Sequence, residues 1–455
     1  MPSPTMNPSR MHWTQLLSTQ RFQRQGGQII PQAGGDADAM AGLRTEFHVD
    51  HDRVVFSRAF RRLGRKTQVH PLASHDHTHN RLTHSVEVSC VGRSLGNRVG
   101  AMLQAGGQLP AGYTPFDIGS VVQVACLAHD IGNPPFGHTG EDALRDWFRQ
   151  PAHAHYLHGL SEAERCDVQT YEGNAHGLRM VATLEMYADS GGMRLTSAAL
   201  GSLVKYPWTA LGSPRDGKFN IYCAELPYFE AAAEALGLIR LGERRWARHP
   251  LSYLMEAADD ICYAIVDLED ATEIGILHEL EFEKLMSPLI DPARVWSADS
   301  PQQRCAAMRG AVVGRCVNEV ADRFMAHHDD LLTGQFPAKD LIAVCRAEVR
   351  DVLIAAKELA SQKIYRHRTK LVTEVAAYPC LAALLDAVMP AVHARVSHGE
   401  LSPRQQIQLG LLQDVQIGEH DTPYTAYLRV LDWIGAMTDN AAATLAREIS
   451  GVGIL

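Results

Sequence analysis

Apolar residues recur with a period near 3.6 along most of the chain, and that spacing predicts helices. Residues 11–22 (MHWTQLLSTQRF) read as a short amphipathic helix. Residues 25–45, rich in Gly and Ala, lack that period and predict a mobile loop. Residues 50–68 (DHDRVVFSRAFRRLGRKTQ) are helical in pattern and strongly basic, whereas 69–80 (VHPLASHDHTHN) read as a loop. From Thr83 to about Gln104, Val86, Val88, Val91 and Leu95 mark the apolar positions of a helix. Residues 117–130 predict a second, mostly apolar and therefore buried helix. Gly132-Asn133-Pro134-Pro135 stops it, because residues preceding proline avoid the helical region. Further helices open near His138 and span 252–272, and 300–455 shows only helical periodicity with Gly and Pro breaks. No run of alternating strands and no internal repeat is evident. The expected class is all-α, helix packed on helix.

Length adds a division of the chain. At 455 residues it exceeds one compact core. The expected parts are 1–49, an N-terminal helix and mobile loop; 50–275, a core carrying the candidate chemistry; and 276–455, a C-terminal helical region. No run of about 18 apolar residues is evident, so no membrane span is expected. The polar, Pro-rich start has no apolar leader, so no signal peptide is expected. Nine cysteines, an odd number without a Cys-x-x-Cys pair, fit reduced thiols and a cytoplasmic setting. The net charge of −9 argues against a dedicated nucleic-acid binder but leaves room for a local basic pocket.

Chemistry concentrates in three places. His129 and Asp130 end a mostly apolar helix, where charge is costly unless it pairs or binds a metal. With His84 and a later acid they form a set suited to a divalent ion. His138 and Glu141, three apart on the next helix, share a face and suit acid–base work; the alternative is a solvated histidine and an acid favoured by the helix dipole. Asp259, Tyr263 and Asp267, spaced by four, share one face of a helix, as a site or as a polar face with Tyr263 in the core. Asp260, Glu269 and Asp270 point elsewhere and are expected to be solvated. Arg58, Arg61, Arg62 and Arg65 lie within two turns of one helix, and about half are expected to face inward. His75, His77 and His79 belong to a His-rich loop expected to be flexible and solvated, with a second metal as the alternative.

The ordered segments RLTHSVEVS, LAHDIGNPPFGHTGE, YEGNAHGLR, LVKYPW and EAADDICYAIVDLED resemble the bacterial deoxyguanosine triphosphate triphosphohydrolase family of the HD superfamily. FHVDHDRVVFSRAFRRLGRKTQV near the start and LDWIGAMTD near the end extend the likeness over nearly the whole chain. The resemblance implies a multi-helical HD-domain core with an additional C-terminal helical subdomain. It implies one divalent metal (Mg, Mn, Fe or Co) on His84, His129, Asp130 and Asp259, with His138 and Glu141 in catalysis. It puts Tyr263 and Asp267 at the deoxyribose, and Gln68 and Val69 near its 3′-hydroxyl. It puts Arg81, Lys205 and Tyr206 at the triphosphate, and Asn174 at a polar active-site position. The chain departs from the pattern after MTD, where Asn440 and Ala441 replace a basic or aromatic pair.

The implied reaction is hydrolysis of a deoxynucleoside triphosphate to deoxynucleoside and tripolyphosphate, with water attacking the α-phosphorus. The alternatives are another HD phosphohydrolase, such as a 5′-nucleotidase or phosphodiesterase, or a non-catalytic nucleotide- or single-strand-binding protein. The likeness also implies a homo-oligomer and a secondary site for a nucleotide activator or single-stranded DNA.

Overall fold

The computed structural model describes residues 9–32, 44–67, 79–214, 217–291, 300–366, 368–397, 399–412, 415–418 and 420–452. Helices carry the fold, so it is all-α as expected. Those that position the site are α1 (Glu46–Val55), α2 (Arg81–Ala105), α3 (Pro115–Ala128), α4 (Gly137–Arg149), α5 (Gly173–Arg179) and α6 (Pro250–Glu273). They are followed by α7 (Pro301–Ala326), α8 (Ala347–Lys363), α9 (Arg368–Val396), α10 (Pro423–Gly435) and α11 (Asp439–Ile449).

Local chemistry explains where several expectations shift. The N-terminal helix is one turn, Trp13–Leu16. Across the end of the expected helix and the start of the expected loop, β1 (Phe22–Gln25) pairs antiparallel with β2 (Gln28–Pro31), Phe22 opposite Pro31. A second ribbon joins β3 (Arg240–Gly242) and β4 (Arg245–Trp246). Two-residue connections let such short strands pair without the long alternating run that marks a sheet in sequence. The basic stretch 50–68 is not one helix. α1 ends at Val55, and the Ser57 side chain accepts the Phe60 N–H at 3.1 Å to cap a new helix, Arg58–Arg62. α2 starts two residues earlier than expected because the Asn80 side chain accepts the N–H groups of Leu82 and Thr83, each at 3.0 Å.

α2 and α3 pack closely at the centre. A Cβ on Gly96 would lie 2.7 Å from the Cα of Gly119, so only glycine permits this approach. α6 lies against both helices, burying Leu254, Ala258, Ile261, Ile265 and Leu268. α7 and α8 complete this first core. A second core joins Leu144, Trp147 and Phe148 of α4 to Leu381, Leu385 and Val388 of α9 and to Tyr427 and Leu431 of α10. The packing therefore cuts across a division of the chain at 275: residues 305–364 join the first core, and α4 anchors the second.

One helix bears on the expectation of no membrane span. Lys370–Val396 is long and apolar enough, by length and composition, to cross a bilayer. Its Leu381, Leu384, Leu385, Val388, Met389 and Val392 are fully buried in the second core, as in the core helix of a globular protein.

Candidate active site

Three of the four expected ligands converge between α2, α3 and α6. His84 projects from the first turn of α2 and is 2% exposed, with Nε2 3.1 Å from Asp259 Oδ1. His129 is the C-cap of α3, and its Nδ1 donates to the Cys126 carbonyl at 2.6 Å. A carbonyl only accepts, so Nδ1 carries the proton and Nε2 faces the site. That Nε2 lies 3.5 Å from Asp259 Oδ1. One donor atom each from His84, His129 and Asp259 falls within a 4.8 Å cluster. Two imidazoles and a carboxylate at this spacing fit a divalent cation.

Asp130 stands beside this cluster, with Oδ1 3.7 Å from His129 Nε2. Its carboxylate accepts from Arg81 Nη1 at 2.7 Å and from the Asn133 amide. Burial would raise its pKa, but Arg81 and then His129 and His84 outweigh that and hold it at about 2.

A cavity of about 320 Å³ opens over the cluster. Its lining includes His84, Asp130, Asp259 and Tyr263 from the first core and Phe136, Gly137, His138 and Thr139 from the entry to α4. Lys357 and Tyr365 in and after α8, Lys370, Thr373 and Glu374 of α9, and Asp439 close it from the C-terminal half. Among the described lining residues, five acids (Asp130, Asp259, Asp260, Glu374, Asp439) face three bases (Arg81, Lys357, Lys370). A polyanion therefore meets unfavourable charge here unless a cation comes with it.

The entry to α4 is shaped by backbone conformation. Phe136 and Gly137 are both left-handed, with φ of 66° and 59°. A Cβ on Gly137 would sit 2.6 Å from Arg81 Nη2. This turn aims His138, whose side chain is 77% exposed, at the cavity, while Glu141 is 2% exposed beneath it. His138 Nδ1 and Glu141 Oε2 are 3.1 Å apart, and Glu141 Oε1 accepts the Gly173 N–H at 2.8 Å. Burial works to raise the Glu141 pKa, but the His138 hydrogen bond, His138 itself, Lys218 and Arg145 bring it below the ordinary value.

The other expected residues divide. Arg81 and Tyr263 line the cavity. Tyr263 stacks on Tyr365 at 5.8 Å, and the Tyr365 hydroxyl donates to Asp267 Oδ2 at 2.7 Å. Asp267 thus sits behind Tyr365, and burial pushes its carboxyl up to about 7. Lys205 Nζ lies 3.0 Å from Glu256 Oε1 and over the Tyr206 ring, outside the cavity lining. The Asn174 side chain donates to Glu172 Oε1 at 2.6 Å, also outside the lining. Gln68, Val69, His75 and His77 lie outside the described residues.

Several expectations are corrected. Asp260, Glu269 and Asp270 are paired rather than solvated: Lys357 bonds Asp260 at 2.6 Å, Arg309 bonds Glu269 at 2.6 Å, and His79 bridges Asp270 and Glu87. His79 is accordingly half-buried, and the hydrogen bonds to Asp270 and then Glu87 raise its imidazole to about 10. None of Arg58, Arg61, Arg62 and Arg65 lines the cavity; Arg62, half-buried, pairs with Glu185 at 2.6 Å. The short helix Arg58–Arg62 turns Ala59 and Phe60 inward and leaves Arg58 and Arg61 exposed. Lys66, unremarked in sequence, is the buried cation of that region, donating to the carbonyls of Asn133 at 2.5 Å and Gly435 at 2.7 Å. The contributions of Lys357, Tyr365, Lys370 and Glu374 were also missed, since helical periodicity carries no sign of which end meets a distant site.

Comparison with known proteins finds relatives along nearly the whole chain. The HD domain family matches residues 81–171, the span that carries His84, His129, Asp130, His138 and Glu141. A deoxyguanosinetriphosphate triphosphohydrolase-like protein of Pseudomonas aeruginosa is 45% identical over 419 residues, covering 90% of this chain and 94% of the relative. Proteins of the same description from Synechocystis sp. (34% identical, 98% of this chain and 100% of the relative) and Listeria innocua (30%, 97% and 100%) match over nearly their whole length. The chain belongs to the deoxyguanosinetriphosphate triphosphohydrolase-like family of HD-domain proteins, and is a phosphohydrolase of the HD class.

Proposed function

We propose that this protein hydrolyses deoxynucleoside triphosphates, dGTP or several of them, to deoxynucleoside and tripolyphosphate. The carrying observation is the cavity itself: a His–His–Asp cluster at its base, an exposed imidazole at its rim, and Arg81, Lys357 and Lys370 around it. His84, His129 and Asp259, with Asp130 beside them, would hold one divalent ion; Mg, Mn, Fe and Co all suit the donors. Such an ion supplies Lewis-acid polarisation of phosphoryl oxygens and neutralises their charge.

The remaining chemistry belongs to this chain. Arg81 is rigid, fully charged and already pressed against the α4 turn, so it can present its free edge to a phosphate. Water attacks the α-phosphorus, and the bond to the 5′-oxygen breaks. Both Glu141 oxygens are already bonded, so Glu141 orients, and His138 is the group that meets the substrate. A charged His138 gives its Nε2 proton to the departing 5′-oxygen, the Glu141 carboxylate stabilises the imidazolium, and the proton shed by the attacking water passes to solvent, from which the exposed imidazole is recharged. Tyr263, backed by Tyr365 and Asp267, forms a wall for the sugar, and the family likeness assigns Gln68 and Val69 to its 3′-hydroxyl. Lys205, Tyr206 and Asn174, which lie outside the cavity lining, are assigned to the substrate by the family likeness, and a phosphate would compete with Glu256 for Lys205. Homo-oligomer assembly, a cytoplasmic setting and an activating nucleotide or single strand are proposals carried by the family likeness.

The test incubates the protein with each of the four deoxynucleotides and their ribose forms, with Mg or Mn, and separates tripolyphosphate from pyrophosphate and phosphate. Tripolyphosphate from the deoxy forms supports the reading. Orthophosphate or pyrophosphate as the first product refutes it, and equal turnover of ribonucleotides removes the sugar roles.

A further inference from the structure

Glu141 is held by more than its partner His138 requires. One turn along α4, Arg145 Nη2 lies 3.3 Å from Glu141 Oε2 and 3.2 Å from Glu172 Oε2. The same guanidinium donates through Nε to the Tyr171 carbonyl at 2.7 Å and through Nη1 to Asp142 Oδ1 at 3.0 Å. Four acceptors therefore fix one planar fork. Glu172 is fully buried, accepts the Asn174 N–H at the start of α5, and pairs with Lys218 at 2.9 Å.

We propose that Arg145 is a positioning residue for the reaction: it pins Glu141 beside the second buried carboxylate of Glu172, and thereby holds the His138 imidazole toward the cavity. The proposal rests on His138 as the group that moves a proton. The groups facing Glu141 are His138 and Arg145 on its own helix, Lys218 at 4.0 Å, Glu172 and the Gly173 N–H across from it, and Arg81 and Tyr171 farther off. The two buried carboxylates face Arg145, Lys218 and the His138 imidazole. Without Arg145 the two carboxylates lose the cation that bridges them, and Glu172, which burial and then Glu141 already push up, is the first to take a proton. Glu141, no longer pinned through Arg145 and harder to ionise without that charge, holds the His138 Nδ1–H less firmly, and the imidazole loses its orientation. Lysine in place of Arg145 retains a charge but not the fork that spans both carboxylates.

The test uses R145M and R145K beside the wild type, with folding followed by circular dichroism and thermal unfolding. In protein carrying 13C-carboxyl glutamate, E141Q identifies the Glu141 signal. Its titration should lie below the ordinary glutamate range in the wild type and move up by about one unit or more in R145M. R145K should restore most of that shift. The acid limb of kcat/KM should move with it, kcat falling about 10- to 100-fold with little change in KM, as when an orienting partner is removed. An unmoved Glu141 titration in R145M overturns the proposal; if R145M does not fold, the same result in R145Q overturns it. A wild type that releases no tripolyphosphate refutes the functional reading alone, because the carboxyl titration is read without turnover.

Discussion

Asp439 Oδ1 accepts the backbone N–H of Phe136 at 3.0 Å, which ties the first residue of α11 to the left-handed turn that launches α4. Its Oδ2 accepts the Thr67 N–H, also at 3.0 Å. One carboxylate from the C-terminal half thus fastens two rims of the cavity. D439N keeps one acceptor and turns an amide N–H toward the other backbone donor. Loss of a charged hydrogen bond costs about 1.5–3 kcal/mol. The expected outcome is at least a tenfold fall in kcat with bound metal retained, read by steady-state kinetics and metal analysis. Wild-type kinetics in D439N would show that Asp439 does not organise the rim.

The cluster and the imidazole at the rim should separate in function. D259A removes the carboxylate shared by His84 and His129 and should lose both bound metal and turnover. H138Q leaves the cluster untouched and should lose about 10²–10⁴ in turnover while metal content stays at the wild-type level. Elemental analysis of the purified variants beside their rates distinguishes the two; metal loss in H138Q would place His138 among the ligands.

Gly137 tests the turn without replacing a charged residue. G137A places a Cβ 2.6 Å from Arg81 Nη2 at a φ of 59°. The left-handed conformation alone costs about 1–2 kcal/mol for an L-residue. A lower Tm and a higher KM are expected, because Arg81 must shift. An unchanged KM would argue against Arg81 as a substrate contact.

His249 gives a pH dependence away from the site. Its Nδ1 accepts the Leu251 N–H at 3.1 Å, and its Nε2 donates to the Leu16 carbonyl at 3.0 Å. Burial lowers the imidazole to about 4 from an ordinary 6.5. A depressed folded-state pKa contributes stability that is complete above 6.5 and is lost as pH falls through 4. The shift corresponds to about 3 kcal/mol. H249N retains a helix cap but no titration, so its urea-unfolding free energy should fall less steeply between pH 6.5 and 4. Parallel curves for both proteins would exclude His249 as the source.

Much of the site was legible before folding because its residues lie in local contexts with a visible cost or constraint. His129 and Asp130 ended an apolar helix where charge needs a partner. His138 and Glu141 shared a face by spacing, and so did Asp259 and Tyr263. The split of Arg58–Arg62 from α1 was not legible, because one serine hydroxyl on one amide decided it. Nor were the pairings of Asp260, Glu269 and Asp270, whose partners Lys357, Arg309 and His79 come from elsewhere in the chain.

By itself the sequence determined the all-α class, the helices that bear the chemistry and the residues worth suspecting, since periodicity, caps and local charge act within a few residues. Tertiary structure alone decided which of them meet. His84, His129 and Asp259 come from three helices, and their approach depends on the close packing of α2, α3 and α6. The cavity is closed by Lys357, Tyr365, Lys370 and Asp439 from beyond residue 350, and a long-range contact of that kind leaves no local period to read. The division of labour between a buried Glu141 and an exposed His138 follows from burial, which the packing of α4 against α5 and the second core creates.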